Sequence, residues 1–182
     1  MQYLLAAGGL ILVIVFWIIS AQRTFVALDE NINNAMSQIG VQLSSRWDAL
    51  SSLLDLTKGY AGHEYSTMTD TIKARRSITK DSSPDDVTKQ ENVIAEAMGK
   101  IMAVAESYPD LKADKTYIKT MDAVSQYENM VRTSRLIYND SVTKLNRAIR
   151  MFPASMIAGV FGFSKRAYLE AQGEKADMPS MK

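Results

Sequence analysis

The chain contains no cysteine. That excludes a disulfide framework, thiol catalysis and cysteine-ligated metals, and leaves the compartment open. Histidine occurs once, as His63, followed by Glu64, Tyr65, Ser66 and Thr67. A zinc-protease helix needs a second histidine four residues on, and any nucleophile–histidine–carboxylate set would have to use this one residue. His63 is therefore read as a surface or helix-bend residue. No G-x-S-x-G or P-loop pattern is present. Neither charge is in surplus: 21 Lys and Arg face 20 Asp and Glu, so nothing pulls the chain as a whole toward nucleic acid. Four prolines and nine glycines are few, and no alternating run of β-branched residues occurs. An all-α fold is the expectation.

Against these absences stands one long apolar run. Tyr3 to Ala21 are nineteen consecutive positions without a charge. As helix they extend about 28 Å, close to the roughly 30 Å hydrocarbon core of a bilayer. Tyr3 and Trp17 lie toward its two ends, where amphipathic aromatics favour the headgroup layer. A cleaved signal peptide would carry a basic flank before a shorter apolar stretch. Here Met1 and Gln2 precede the run, and the first basic residue, Arg23, follows it. The run reads as a retained transmembrane anchor rather than a signal peptide or a buried core helix.

About 160 residues follow, enough for one domain with its own core. Phe25, Leu28, Ile32, Met36, Ile39, Leu43, Trp47, Leu50 and Leu54 recur at spacings of three and four, one stripe along a helix. No Pro or Gly separates this stripe from the anchor, so both belong to one rod. A break is expected near Gly59–Gly62, after which Tyr65, Met68, Ile72 and Ile78 resume the pattern. Ser83, Pro84, Asp85 and Asp86 make a helix start: a cap, a proline suited to the first turn, and carboxylates that complement the dipole. Ile94, Met98, Ile101, Ala105 and Tyr108 mark its buried face. Asp114 caps a last long helix whose stripe runs from Tyr117 through Met121, Val124, Tyr127, Val131, Tyr138, Val142, Leu145 and Ile149 to Phe152, with Pro153 as its stop. The expected helices are 23–58, 62–80, 84–107 and 114–151. They form an elongated antiparallel four-helix bundle, with 23–80 as a single helix in a three-helix alternative. The domains read as anchor 1–22, helical bundle 23–152 and an apolar and basic tail 153–182.

Two surfaces follow from this layout. Close to the membrane only two helices would face each other, leaving Leu28, Ile32, Met36, Val142, Leu145 and Ile149 to be covered by a second copy. The stretch from Ser141 to Leu169 holds Lys144, Arg147, Arg150, Lys165 and Arg166 but no Asp or Glu, around thirteen uncharged residues from Met151 to Phe163. Too short to span, it suits an interfacial segment on anionic headgroups, with Phe152, Ile157, Phe161 and Phe163 as apolar contacts. The plainer alternative is a cap packed on the bundle. Glu128, Asn129, Arg132, Arg135, Asn139 and Asp140 either line a partner groove or pair with Arg46 and Asp48. A solvated face with local ion pairs is the simpler reading of them.

Several strings point to a known family: Asn33-Asn34-Ala35-Met36-Ser37-Gln38-Ile39, Val41-Gln42-Leu43, Lys58-Gly59-Tyr60-Ala61 and His63-Glu64. To these are added Val104-Ala105-Glu106-Ser107-Tyr108-Pro109-Asp110-Leu111-Lys112-Ala113, Glu128-Asn129, Arg132, Arg135, Tyr138-Asn139, Phe152-Pro153 and Ile157-Ala158-Gly159-Val160-Phe161-Gly162-Phe163. With the anchor in front, the chain resembles the bacterial LemA family over nearly its whole length. The resemblance implies a single-pass membrane protein with a helical bundle and no assigned biochemical activity. Some relatives occur among proteins that build bacterial membrane organelles. Met36 stands where an aromatic is expected, and Ser51–Ser52 where many members carry a proline, which favours a straighter first helix.

The function expected is a membrane-anchored helical scaffold or adaptor that self-associates, without catalysis or cofactor. Its partners would be the lipid bilayer, further copies and other membrane proteins, and no nucleic acid. The cell membrane is the expected location, N-terminus outside and domain in the cytoplasm, because Arg23 and the acid-free basic stretch flank the inner side. The alternative is a sensory or ligand-binding bundle, which lacks the second membrane helix and output domain usual in receptors.

Overall fold

A computed structural model describes residues 1–62 and 64–169. The reading of His63 and the part of the tail beyond Leu169 lie outside the described residues. Six helices follow one another, and no strand occurs among the described residues: α1 Gln2–Thr57, α2 Glu64–Lys73, α3 Pro84–Ser107, α4 Pro109–Lys112, α5 Lys115–Arg150 and α6 Ala154–Phe161. The chain is all-α. Two compact units divide it, Met1–Asn34 with Tyr138–Tyr168, and Ala35–Ile137. They are called here the anchor unit and the bundle unit.

Anchor run and first stripe are one uninterrupted helix, as the lack of any breaker between them requires. That helix ends at Thr57, whose carbonyl accepts from the Tyr60 and Ala61 amides. Gly62 then takes φ +50°, a left-handed turn that glycine adopts without steric cost. The three-helix alternative, with 23–80 continuous, is ruled out by this break. At the start of α3, Ser83 Oγ accepts from the Asp86 amide and the Asp86 carboxylate accepts from the Ser83 amide, a reciprocal cap on two otherwise unpaired donors. Asp114 Oδ1 accepts from the Thr116 and Tyr117 amides and opens α5 in the expected place.

One expected helix is cut short. The periodic pattern ran to residue 80, but α2 stops at Lys73 and residues 75–79 have no regular secondary structure. This strap lies on α1 in the bundle unit. The Ile78 carbonyl fills the space that a side chain at Gly40 would need. Arg75 donates to Asp48 and Ser44, and the Arg76 amide donates to Gln90 Oε1. Ile78 is thus half-buried from a non-helical segment rather than from a helix face, which a spacing rule cannot distinguish.

The core of the bundle unit is built from the predicted stripes. Ile39, Leu43, Trp47 and Leu50 of α1, Met68 of α2, Val87, Ile94 and Ile101 of α3, and Val124 and Val131 of α5 are buried. Tyr108, expected on the buried face of α3, instead forms the cap between α3 and α4, where its exposed ring lies 5.3 Å from that of Tyr60.

Candidate membrane interface

Polar side chains in the bundle unit are drawn inward. Arg46 donates to Glu128 at 3.0 Å and Arg135 to Glu91 at 2.7 Å, with Glu91 and Arg46 both buried. The solvated-face reading fits Arg132, which pairs with Glu128 one turn away. It fails for Glu128 and Arg135, which tie α5 to α1 and α3. Arg46 does pair with Glu128 as one alternative held, whereas Asp48 goes to Arg75. Glu91 was missed because it sits inside a helix with other acids and nothing local marks it as buried. Burial pushes its carboxyl above the ordinary range, outweighing the opposing pull of the Arg135 charge. Desolvation likewise lowers Arg46.

The anchor unit has the opposite character. The most apolar stretch of α1 is wholly uncovered. Cover on α1 begins at Ile18 and Ala21, is complete at Phe25 and continues along one face through Leu28 to Ile32. An extended segment after α6 contributes to it. Phe163 stacks on Phe25 at 5.1 Å with the rings 23° apart, and Arg166 donates to Asp29 from both Nε and Nη2. On its other side the segment is held to α5. Asn146 donates to the Arg166 carbonyl and accepts from the Arg166 amide, both at 2.9 Å, and the Tyr138 hydroxyl donates to the Ala167 carbonyl at 3.1 Å.

This segment changes the expected self-association surface. Ile32, Met36, Val142 and Leu145 are buried within a single chain, and Leu28 and Ile149 are half-buried. Helices alone would leave these stripes exposed, but the chain after α6 also packs here, with Phe163 on Phe25.

The nine residues expected at a membrane interface divide by environment. Phe152 stands 80% exposed, and Phe161 is exposed as well, together with Met151, Met156 and Val160. Ile157 is buried with Ala158 on the inner face of α6, and Phe163 is half-buried against Phe25. Among the basic residues, Lys144 pairs with Asp140 and Arg166 with Asp29. Arg147, Arg150 and Lys165 have no carboxylate partner among the described residues. Phe152, assigned to the α5 stripe, falls beyond the end of that helix at Arg150 and points outward. The cap and the interface readings thus each describe one face of α6. The helix ends at Gly162, whose φ of +76° suits glycine.

The cover begins close to the end of the apolar run of α1. Ile18, where the cover begins, lies three residues inside the apolar run that closes at Ala21, about 4.5 Å along a helix. Interfacial helices bury their apolar face roughly 5–10 Å into the headgroup and acyl boundary. Exposed apolar residues on α6 and unpaired arginines are the composition such a layer accepts. Elsewhere no group of three or more His, Asp or Glu side chains converges among the described residues.

A family model described as the LemA family matches residues 35–182. The chain belongs to the LemA family. The apolar run of α1 precedes the matched residues. The magnetosome proteins MamQ 1 and MamQ 2 of Paramagnetospirillum magneticum are each similar at 24% identity over 174 residues, covering 81% of this chain and 64% of their own length. The chain therefore spans just under two thirds of those relatives. Protein LemA of Metamycoplasma hominis is 25% identical over 147 residues, covering 80% of this chain and 67% of its own length. As a LemA-family chain with one apolar helix long enough to cross a bilayer, the protein fits membrane association.

Proposed function

We propose that this LemA-family protein is a single-pass membrane scaffold or adaptor without catalytic activity, which holds a helical bundle at a bilayer surface for other membrane proteins to engage. The observation that carries the reading is the contrast along α1: its most apolar stretch is uncovered, while the rest of the same helix buries a regular stripe. The outer face of α6 adds a second, shallower contact with the bilayer. The magnetosome name of the MamQ relatives supports a role in organising a membrane or its proteins. Arg23, just past the apolar run, together with Arg147, Arg150 and Lys165, favours a cytoplasmic bundle, since basic residues near a membrane end are retained inside.

Extraction of bacterial membranes with alkaline carbonate tests the anchor. The full chain is expected to stay in the pellet, and Ile11→Arg with Val15→Arg to release it, each arginine costing about 3 kcal/mol at the centre of a span. A wild-type chain that washes into the supernatant would overturn the reading. Protease added to spheroplasts should spare the bundle; its rapid digestion from outside would reverse the orientation.

A further inference from the structure

Two of the basic residues without a carboxylate partner among the described residues, Arg147 and Arg150, line one cleft. Thr143, Asn146, Arg147, Arg150, Met151 and Tyr168 line a cavity of about 400 Å³ in the anchor unit. That volume lies in the range of small-molecule sites, roughly 300–1,000 Å³. Its one wall is the last turns of α5, and the facing wall is the segment that Asn146 clamps through the Arg166 backbone. The same clamp brings the Tyr168 hydroxyl to 3.4 Å from Thr143 Oγ1. No acidic residue among the described residues lines the cleft. The α5 C-terminus contributes about half a unit of negative charge, which two full guanidinium charges exceed.

We propose that this cleft binds the phosphate of an anionic phospholipid headgroup, with Arg147 and Arg150 as its ligands. Guanidinium groups match phosphate oxygens through paired parallel N–H donors, which a lone ammonium does not. Both arginines lack a carboxylate partner among the described residues, while Lys144 and Arg166 in the same stretch are neutralised by Asp140 and Asp29. A soluble phosphate would need only this cationic wall. The lipid is favoured over it by what borders the cleft: Met151 lines it, and Phe152 beside it is exposed. Charge for the headgroup and apolar surface for the acyl chains therefore adjoin, in the unit that also carries the membrane span. The inference rests on the membrane-anchored reading and adds a lipid preference to it.

The test uses the full chain in neutral-detergent micelles, titrated with phosphatidylglycerol, with phosphatidylcholine or with inorganic phosphate, and followed by the thermal midpoint and by lipid retained after gel filtration. Phosphatidylglycerol is expected to bind saturably and to raise the midpoint, with phosphatidylcholine and inorganic phosphate at least tenfold weaker. Arg147→Gln with Arg150→Gln should weaken phosphatidylglycerol about tenfold or more, since each basic residue contributes about a factor of five at an anionic surface. Lys144→Gln, which removes a residue already paired, should change it less than twofold. Equal binding of phosphatidylglycerol and phosphatidylcholine, or an unchanged affinity in the double variant, would overturn the proposal. Binding of inorganic phosphate as tight as that of the lipid would overturn the choice of lipid. Carbonate extraction of the same variants keeps the two ideas apart. A chain that stays in the membrane but shows no lipid preference sinks only the cleft, whereas one that fails to stay sinks the reading beneath it.

Discussion

The bundle unit buries a core with charge pairs beneath its surface, while the anchor unit buries one face and leaves a long apolar stretch and three basic residues exposed. In the first, Trp47, Ile94 and Val124 are buried, and Glu91 and Arg46 meet Arg135 and Glu128. In the second, Phe152, Val160 and the most apolar stretch of α1 are uncovered, and Arg147, Arg150 and Lys165 find no acid among the described residues. Water is a poor solvent for the second arrangement, since the exposed apolar residues form a contiguous run rather than scattered singles. The difference teaches that the two units are built for different surroundings.

The largest effects should separate the two kinds of charge. Glu91→Ala leaves the Arg135 guanidinium, 15% exposed, without its buried partner. Removal of one member of a buried pair costs about 3 kcal/mol, so chemical denaturation should show a clear loss of stability. Lys144→Ala removes one side of an exposed pair one turn apart in the anchor unit. Such pairs are worth about 0.3–0.5 kcal/mol. Similar losses in the two variants would break the comparison.

Glycines sharpen it at smaller amplitude. At Gly40 in the bundle unit a methyl group would collide with the backbone carbonyl of Ile78, and backbone moves less easily than a side-chain tip. Gly40→Ala is expected to cost about 1–3 kcal/mol, the usual penalty for overpacking, and to raise hydrogen exchange across residues 75–79. At Gly159 in α6 nothing lies within 4 Å of the corresponding position. Gly159→Ala should therefore stabilise or leave unchanged, because alanine is about 1 kcal/mol better than glycine inside a helix. Destabilisation at both sites would mean that α6 is as tightly enclosed as the bundle.

Much of this organisation was legible in the sequence, and the gaps have physical causes. Local chemistry announced itself: Ser83-Pro84-Asp85-Asp86 and Asp114 set helix starts within a residue or two, because a cap needs only its own neighbours. The apolar run, the stripes and the break before Gly62 were equally readable, since period and backbone freedom are local properties. What escaped depends on contacts distant in the chain. The strap resembles a helix in spacing until Gly40 is seen beneath it. The Glu91–Arg135 pair spans 44 positions and the Arg166–Asp29 pair 137. The acid-free stretch was visible as a composition. Its division into paired residues, Lys144 and Arg166, and unpaired ones, Arg147, Arg150 and Lys165, needed the fold.

The smallest expected effect lies in acid, at the helix caps of the bundle unit. Two backbone amides, of Tyr117 and Thr116, hold the Asp114 carboxyl below its ordinary value, and hydrogen bonds from Ser83 do the same for Asp86. A depressed folded pKa means that the unfolded chain takes up the proton first as pH falls. The stability these carboxylates contribute is then present above about pH 3.9 and disappears as pH drops through their lower folded values. Glu91 runs the other way. Its raised folded pKa favours the folded state below the ordinary glutamate range, and that contribution is lost as pH rises through the raised value. Asp114→Asn keeps an oxygen that caps well but cannot ionise. The variant should match the wild type in helix content at neutral pH and lose less stability between about pH 4 and 2, measured as thermal midpoints across a buffer series. Stretch 141–169 holds no carboxylate side chain to add to that window. Parallel curves for variant and wild type through the acid range would show that the Asp114 cap does not carry the acid-sensitive stability of the bundle.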